Sequence, residues 1–146
     1  MRTRLAVIVT AAAVAWAAAA AAQAPTRAAA TEAATQAAPG HELRLSNKWR
    51  IEVSEGANND GTILFRVTPK DGAPVDVSVA IKDGRGEDGV ARDIRDAFKA
   101  TLDSKEYHAE VDDGEDVLVK KHRGPDFELK LIESTVKGTR LDIEKE

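Results

Sequence analysis

The chain has 146 residues and no cysteine, and its 25 acidic and 21 basic side chains give a formal net charge of −4. A chain without cysteine forms no disulfide bond and has no thiol nucleophile. A mildly acidic chain without a broad basic face is a poor candidate for binding nucleic acid, so we expect no nucleic-acid partner.

The first residues have the layout of a secretory signal peptide. Arg2 and Arg4 precede an uncharged, alanine-rich run, and small residues follow it. This pattern predicts a signal peptide over residues 1–24, cleaved after Ala22 or after Ala24. The apolar run is at the short limit for a membrane span, so an uncleaved anchor is the alternative. We expect cleavage, no stable membrane insertion afterwards, and a location in the bacterial periplasm or the medium.

Residues 25–40 are rich in alanine, threonine and proline and contain no large apolar side chain. Such a composition cannot dock on a core and predicts a flexible linker. Residues 41–146 are long enough for one hydrophobic core and too short for two ordinary domains. We therefore expect a single folded domain after the linker.

Apolar residues alternate with polar ones in three early segments, 49–53, 63–67 and 75–81. This period of two is typical of half-buried strands, and turn residues at 56–61 and 71–74 separate the segments.

The period then becomes helical, with Val90, Ile94 and Phe98 on one face. It predicts an amphipathic helix over about residues 89–103, with Asp88 as its N-cap.

Alternation returns after the helix and predicts four more strands, at 107–111, 117–119, 127–131 and 141–143. The predicted class is α+β, with about seven short strands in a mainly antiparallel sheet and the helix packed on one face. The other face of the sheet carries many charged side chains, and we expect it to be exposed to solvent.

The helix carries the pattern Ala-x-x-Ile-x-x-Ala-Phe from Ala91 to Phe98, and a Tyr-x-Ala strand begins at Tyr107. With the glycine turn at Gly114 and the later strands, residues 75–143 resemble the β-α-β-β-β units of phage tail-associated and bacterial surface proteins. This resemblance implies a structural or binding module, not an enzyme. It assigns no functional residue.

Motifs for catalysis are missing from the sequence. The histidines, His41, His108 and His122, do not have the spacing of a helical metal pair, and no serine lies in a Gly-x-Ser-x-Gly context. We therefore expect no catalytic residue, no metal and no cofactor. The acidic residues from Asp112 to Asp116 form either an ordinary hairpin turn or a Ca²⁺ site that lacks the EF-hand order. The hairpin is the interpretation we favour.

One dense basic run remains as a candidate binding site: Lys120, Lys121, His122 and Arg123. Such a run can attract an acidic partner, and its alternative is a solvated loop. The sequence thus favours an exported, non-catalytic binding or interaction module whose partner is another exported protein or a cell-envelope component. The alternatives are an inhibitor of a secreted hydrolase and a small hydrolase whose carboxylates converge only in the fold.

Overall fold

Strands dominate the computed structural model of this protein, which describes residues 42–146. The signal peptide (1–24) and the linker (25–40) lie outside the described residues and stay predictions. His41 also lies outside them. The elements are β1 (Lys48–Ser54), β2 (Gly61–Pro69), β3 (Val75–Ile81), α1 (Glu87–Thr101), β4 (Tyr107–Asp112), β5 (Asp116–Lys121), β6 (Phe127–Ser134) and β7 (Arg140–Lys145).

The seven strands and single helix of the described part confirm the α+β class. All strand pairs in it are antiparallel, as predicted. The strands are divided between two sheets, one with the order β4-β5-β1-β7 and one with the order β3-β2-β6. We call them the four-stranded and the three-stranded sheet.

The core lies where the apolar faces of both sheets and the helix meet. In β1 the alternation buries Trp49, Ile51 and Val53 and turns the residues between them outward. The helix contributes Phe98, whose ring centroid lies 5.4 Å from that of Phe65 in β2. One continuous apolar cluster therefore holds both sheets and the helix together.

The helix closes one side of the structure, because it contacts both β3 and β4, the edge strands of the two sheets. Its start differs from the prediction. Gly86, not Asp88, is the N-cap, and no side chain caps the helix. Asp88 lies in the first turn, 3.6 Å from Arg92. The C-terminal end is also earlier than predicted, because Leu102 has an extended backbone.

A junction of three loops explains where the helix begins. The backbone N–H of Ala57 donates to the carbonyl oxygen of Arg85 (2.7 Å), and the N–H of Asn58 donates to the oxygen of Lys137 (2.8 Å). These bonds join the β1–β2, β3–α1 and β6–β7 loops. Since Arg85 is held by this junction, the next residue is the first that is free to cap the helix.

Gly138 in this junction has a left-handed backbone (φ +94°), and a Cβ there would lie 2.7 Å from the carbonyl oxygen of Gly56. We predict that Gly138→Ala lowers the free energy of unfolding by about 3 kcal/mol, from backbone strain and overpacking together. Urea denaturation measures the loss. Gly84→Ala is the matched control, because Gly84 is also left-handed (φ +73°) but a Cβ there meets nothing within 4 Å. It should lose only about 1 kcal/mol. Equal losses would show that the close approach of Gly138 to Gly56 does not matter.

Candidate functional site

The predicted basic run does not form one surface. Lys120 and Lys121 are neighbours in β5 and point to opposite faces of the sheet. The Nζ of Lys120 lies 2.7 Å from Glu110 Oε1. Lys121 has a side chain that is only 6% exposed, and its Nζ lies 5.0 Å from the ring centroid of Tyr107. Two of the four residues thus make contacts within the fold.

The rest of the run is exposed. The rings of His122 and His108 lie 5.6 Å apart between centroids, an approach that sequence spacing could not reveal. Arg123 makes no ion pair among residues 42–146. A partner of the basic run would therefore meet mainly the side chains of His122 and Arg123 and not a cluster of four.

The acidic turn is a hairpin in the structure. Asp112 pairs with Asp116 across the strands, while Asp113 and Gly114 adopt positive φ angles of 50° and 87°. Arg50 on the neighbouring strand lies 2.5 Å from Asp116 and 3.6 Å from Asp112. In residues 42–146, no group of three His, Asp or Glu side chains is arranged to hold a metal ion.

Among residues 42–146, Glu115 in the same turn makes no ion pair that would offset its acidic surroundings. Its pKa is raised above the ordinary value by the charge of Glu87, followed by burial and the charges of Asp116, Asp88 and Glu52. Glu110 on the same sheet is the opposite case, because hydrogen bonds from Lys120 and His108 lower its pKa. Glu115 is therefore surrounded by acidic groups of the turn, of the first turn of the helix and of β1, although Arg50 pairs with two of the turn's carboxylates.

Two cavities border the helix. The first, of about 390 Å³, lies between β3 and α1, and one of its two cations, Arg85, is already held by two hydrogen bonds to Asp93 (2.8 and 2.7 Å). The second, of about 180 Å³, lies between the end of α1 and β4 and is lined by Phe98, Leu102 and Tyr107. The Tyr107 hydroxyl is buried and has no hydrogen-bond partner in the described residues.

A third cavity, of about 160 Å³, lies on the side of the structure opposite the helix, between β6 and β7. Its apolar lining comes from β1, β6 and β7, and its polar lining from β6 and the segment before β1. We call this surface, with the adjoining Ile132, the β6–β7 groove. Its apolar lining is Trp49, Leu129, Leu131 and Ile143, and its polar lining is Arg44, Glu128 and Lys130.

Burial decreases along β6. Phe127 is fully buried, whereas Leu131 is 37% and Ile132 is 44% exposed. These two are the large apolar side chains that are exposed in the described part of the chain. Phe65 pairs with Leu131 and Leu64 with Glu133, so Ile132 is the extra residue of a β-bulge. The groove thus presents apolar side chains at a sheet edge that, among residues 42–146, pairs with another segment only at Phe127.

Glu128 is a buried carboxylate in this groove, with only 2% of its surface exposed. It accepts a hydrogen bond from the backbone N–H of Arg44 (2.9 Å), and its Oε2 lies 3.0 Å from the Nζ of Lys130. Burial of a carboxylate needs such compensation. The Trp49 ring, another part of the lining, has the Nζ of Lys145 5.8 Å from its centroid.

Sequence reasoning missed the groove. Phe127, Leu129 and Leu131 alternate like any strand with one buried face. Nothing in that pattern shows that burial ends before Leu131, because burial depends on the neighbouring sheet. The one available signal was Ile132, an apolar residue at a position where the alternation calls for a polar one.

Comparisons with known proteins give no family. A scan against protein-family models found no match, and a search of curated proteins found no similar chain. Among residues 42–146, no helix has both the length and the apolar character that a membrane crossing requires.

The raised pKa of Glu115 yields a pH-dependent prediction. An acid whose pKa is higher in the folded than in the unfolded protein opposes folding when ionised. That cost is present above the folded pKa and disappears as the pH falls below the unfolded value, about 4.3. Glu115→Gln should therefore raise the melting temperature at pH 7 and leave it unchanged at pH 3.

The matched control is Glu110→Gln, on the same sheet. Because the pKa of Glu110 is lowered by its partners, its ionised form supports folding above the unfolded pKa. The substitution should lower the melting temperature at pH 7 and have little effect at pH 3. Thermal unfolding followed by circular dichroism measures both variants. A gain for Glu115→Gln that is equal at both pH values would contradict the charge explanation.

Proposed function

We propose that this protein is an exported, non-catalytic binding module that binds another exported protein or a cell-envelope component through the β6–β7 groove. The observation that carries the proposal is the exposure of Leu131 and Ile132 beside an apolar cavity. A free sheet edge with apolar side chains is a template for another chain, and natural proteins usually cover or blunt such edges.

The position of the helix supports placing the binding site in the β6–β7 groove. On one side, the helix packs against β3 and β4 and covers both edge strands. On the other side, no helix of residues 42–146 lies over β6 and β7. The basic run is the weaker candidate, because Lys120 and Lys121 already contact Glu110 and Tyr107.

Site-specific photo-cross-linking in the exporting cell tests the proposal. A benzoylphenylalanine at Ile132 should give a discrete adduct with another envelope molecule, because that side chain lies at the proposed contact. The same group at Lys99, on the exposed face of the helix, is the matched control and should give none. Adding Leu131→Asp should reduce the adduct at Ile132 about tenfold, the effect of losing one central contact.

Three results would contradict the proposal. Equal labelling from Ile132 and Lys99 would indicate chance collisions, and the absence of adducts from both would leave the groove without a partner. A third probe at Arg123 distinguishes the basic run. Adducts from Arg123 alone would move the binding site to that loop.

A further inference from the structure

The segment that precedes β1 starts to pair with β6 and then stops. The backbones of Ser46 and Phe127 exchange two hydrogen bonds of 3.0 Å each, the pattern of an antiparallel pair. The next such pair would join Arg44 with Leu129, two residues further along each chain. Instead, the N–H of Arg44 donates to the side chain of Glu128.

Glu128 thus ends this pairing before it reaches the exposed half of β6. Its carboxylate takes the N–H group that would otherwise bond to the backbone of Leu129. Beyond Phe127, β2 is the only strand beside β6 within residues 42–146.

The direction of the free backbone groups follows from the same pair. Because Phe127 directs its N–H and C=O away from β2, toward Ser46, alternation directs those of Leu129 and Leu131 the same way. Hydrogen-bonding groups at an open sheet edge are the means by which an extended peptide adds to a sheet.

The size and charge of the groove restrict what can bind. A cavity of about 160 Å³ is too small for a typical free ligand, whose pockets begin at about 300 Å³, but it can take one apolar side chain. Its charged lining residues are two cations, Arg44 and Lys130, and one carboxylate, Glu128, which Lys130 already contacts. Excess positive charge beside an apolar cavity favours an acidic residue next to an apolar one.

We infer that the β6–β7 groove binds an extended acidic peptide segment of a partner protein, which adds as a strand beside Leu129 and Leu131 and inserts an apolar side chain between Leu131 and Ile143. This inference rests on the proposed function and specifies its partner. A second copy of the chain fits less well, because the bulge at Ile132 in both copies would interrupt a β6–β6 pairing. A short peptide needs only the backbone of Leu129 and Leu131.

A capped synthetic heptapeptide in which valine alternates with aspartate and glutamate is the probe. It is titrated into the ¹⁵N-labelled full chain at low salt and followed by NMR. The expected result is saturable shifts at the amides of residues 129–132 and 143 and at the indole N–H of Trp49. A peptide with lysine in place of the acids, and one N-methylated at alternate backbone nitrogens, should each bind at least about tenfold more weakly.

Two charge-reversal variants separate the groove from general electrostatics. Arg44→Glu should weaken binding of the acidic peptide about tenfold, the size of one charge contact at the rim of a binding site. Arg123→Glu makes the same change in charge at an exposed arginine outside the groove and should leave binding unchanged. Leu131→Asp should weaken binding at least about tenfold, and because Leu131 is already 37% exposed, circular dichroism should show an unchanged fold.

Several outcomes would overturn the inference. No shift at millimolar peptide, equal binding of the N-methylated peptide, or shifts centred on Lys120–Arg123 would each exclude strand addition at β6.

A dimer in sedimentation equilibrium that Leu131→Asp dissociates would assign the groove to a second copy. An intrachain cross-link from Ile132 to residues 25–41 would assign it to this chain's own leader. In any of these cases an envelope adduct from Ile132 would still support a binding module, so the two proposals fail separately.

Discussion

The pairing of Ser46 with Phe127 is the contact on which the rest of the structure depends. At this point the chain leaves the edge of the three-stranded sheet and enters β1 of the four-stranded sheet. The indole N–H of Trp49 donates to the carbonyl oxygen of Phe127 (3.0 Å), and the rings of Tyr107 and Phe127 pack edge to face at 5.3 Å. The sheets are joined here by hydrogen bonds and aromatic packing, and β6 becomes more exposed with distance from this point.

Charges on the outer face of the four-stranded sheet are largely neutralised within the fold. Arg50 contacts Asp116 and Glu146, each at 2.5 Å, and the Nζ of Lys48 lies 3.0 Å from Glu146. Such surface pairs contribute little stability individually. Their consequence for binding is larger, since a partner of this face would first have to displace them. The β6–β7 groove differs because it also exposes the apolar side chains of Leu131 and Ile132, at a sheet edge that no other strand of residues 42–146 covers beyond Phe127.

Several features of this protein could be predicted from the sequence. The period-two alternation in β1, β2 and β3 and the helical period around Ile94 gave the correct element types, because each period reports which side of a local element is buried. The acidic residues around Asp113 and Gly114 form the expected hairpin, since a left-handed turn favours these residue types. The candidate site could not be found in this way. Lys120 and Lys121 are adjacent in sequence but separate in space because a strand alternates its faces.

The sequence by itself determined the elements, their order and the α+β class, because local periodicity and turn chemistry are properties of neighbouring residues. Only the tertiary structure decided the division into two sheets and the helix start after Gly86, since both depend on contacts between distant segments. It also decided the burial of Glu128 and the exposure of Leu131, two residues of one strand. The physical reason is that burial at a sheet edge depends on what packs beside it. For β6 that neighbour is a segment more than 80 residues earlier in the chain, which ends its pairing where Glu128 binds the backbone of Arg44.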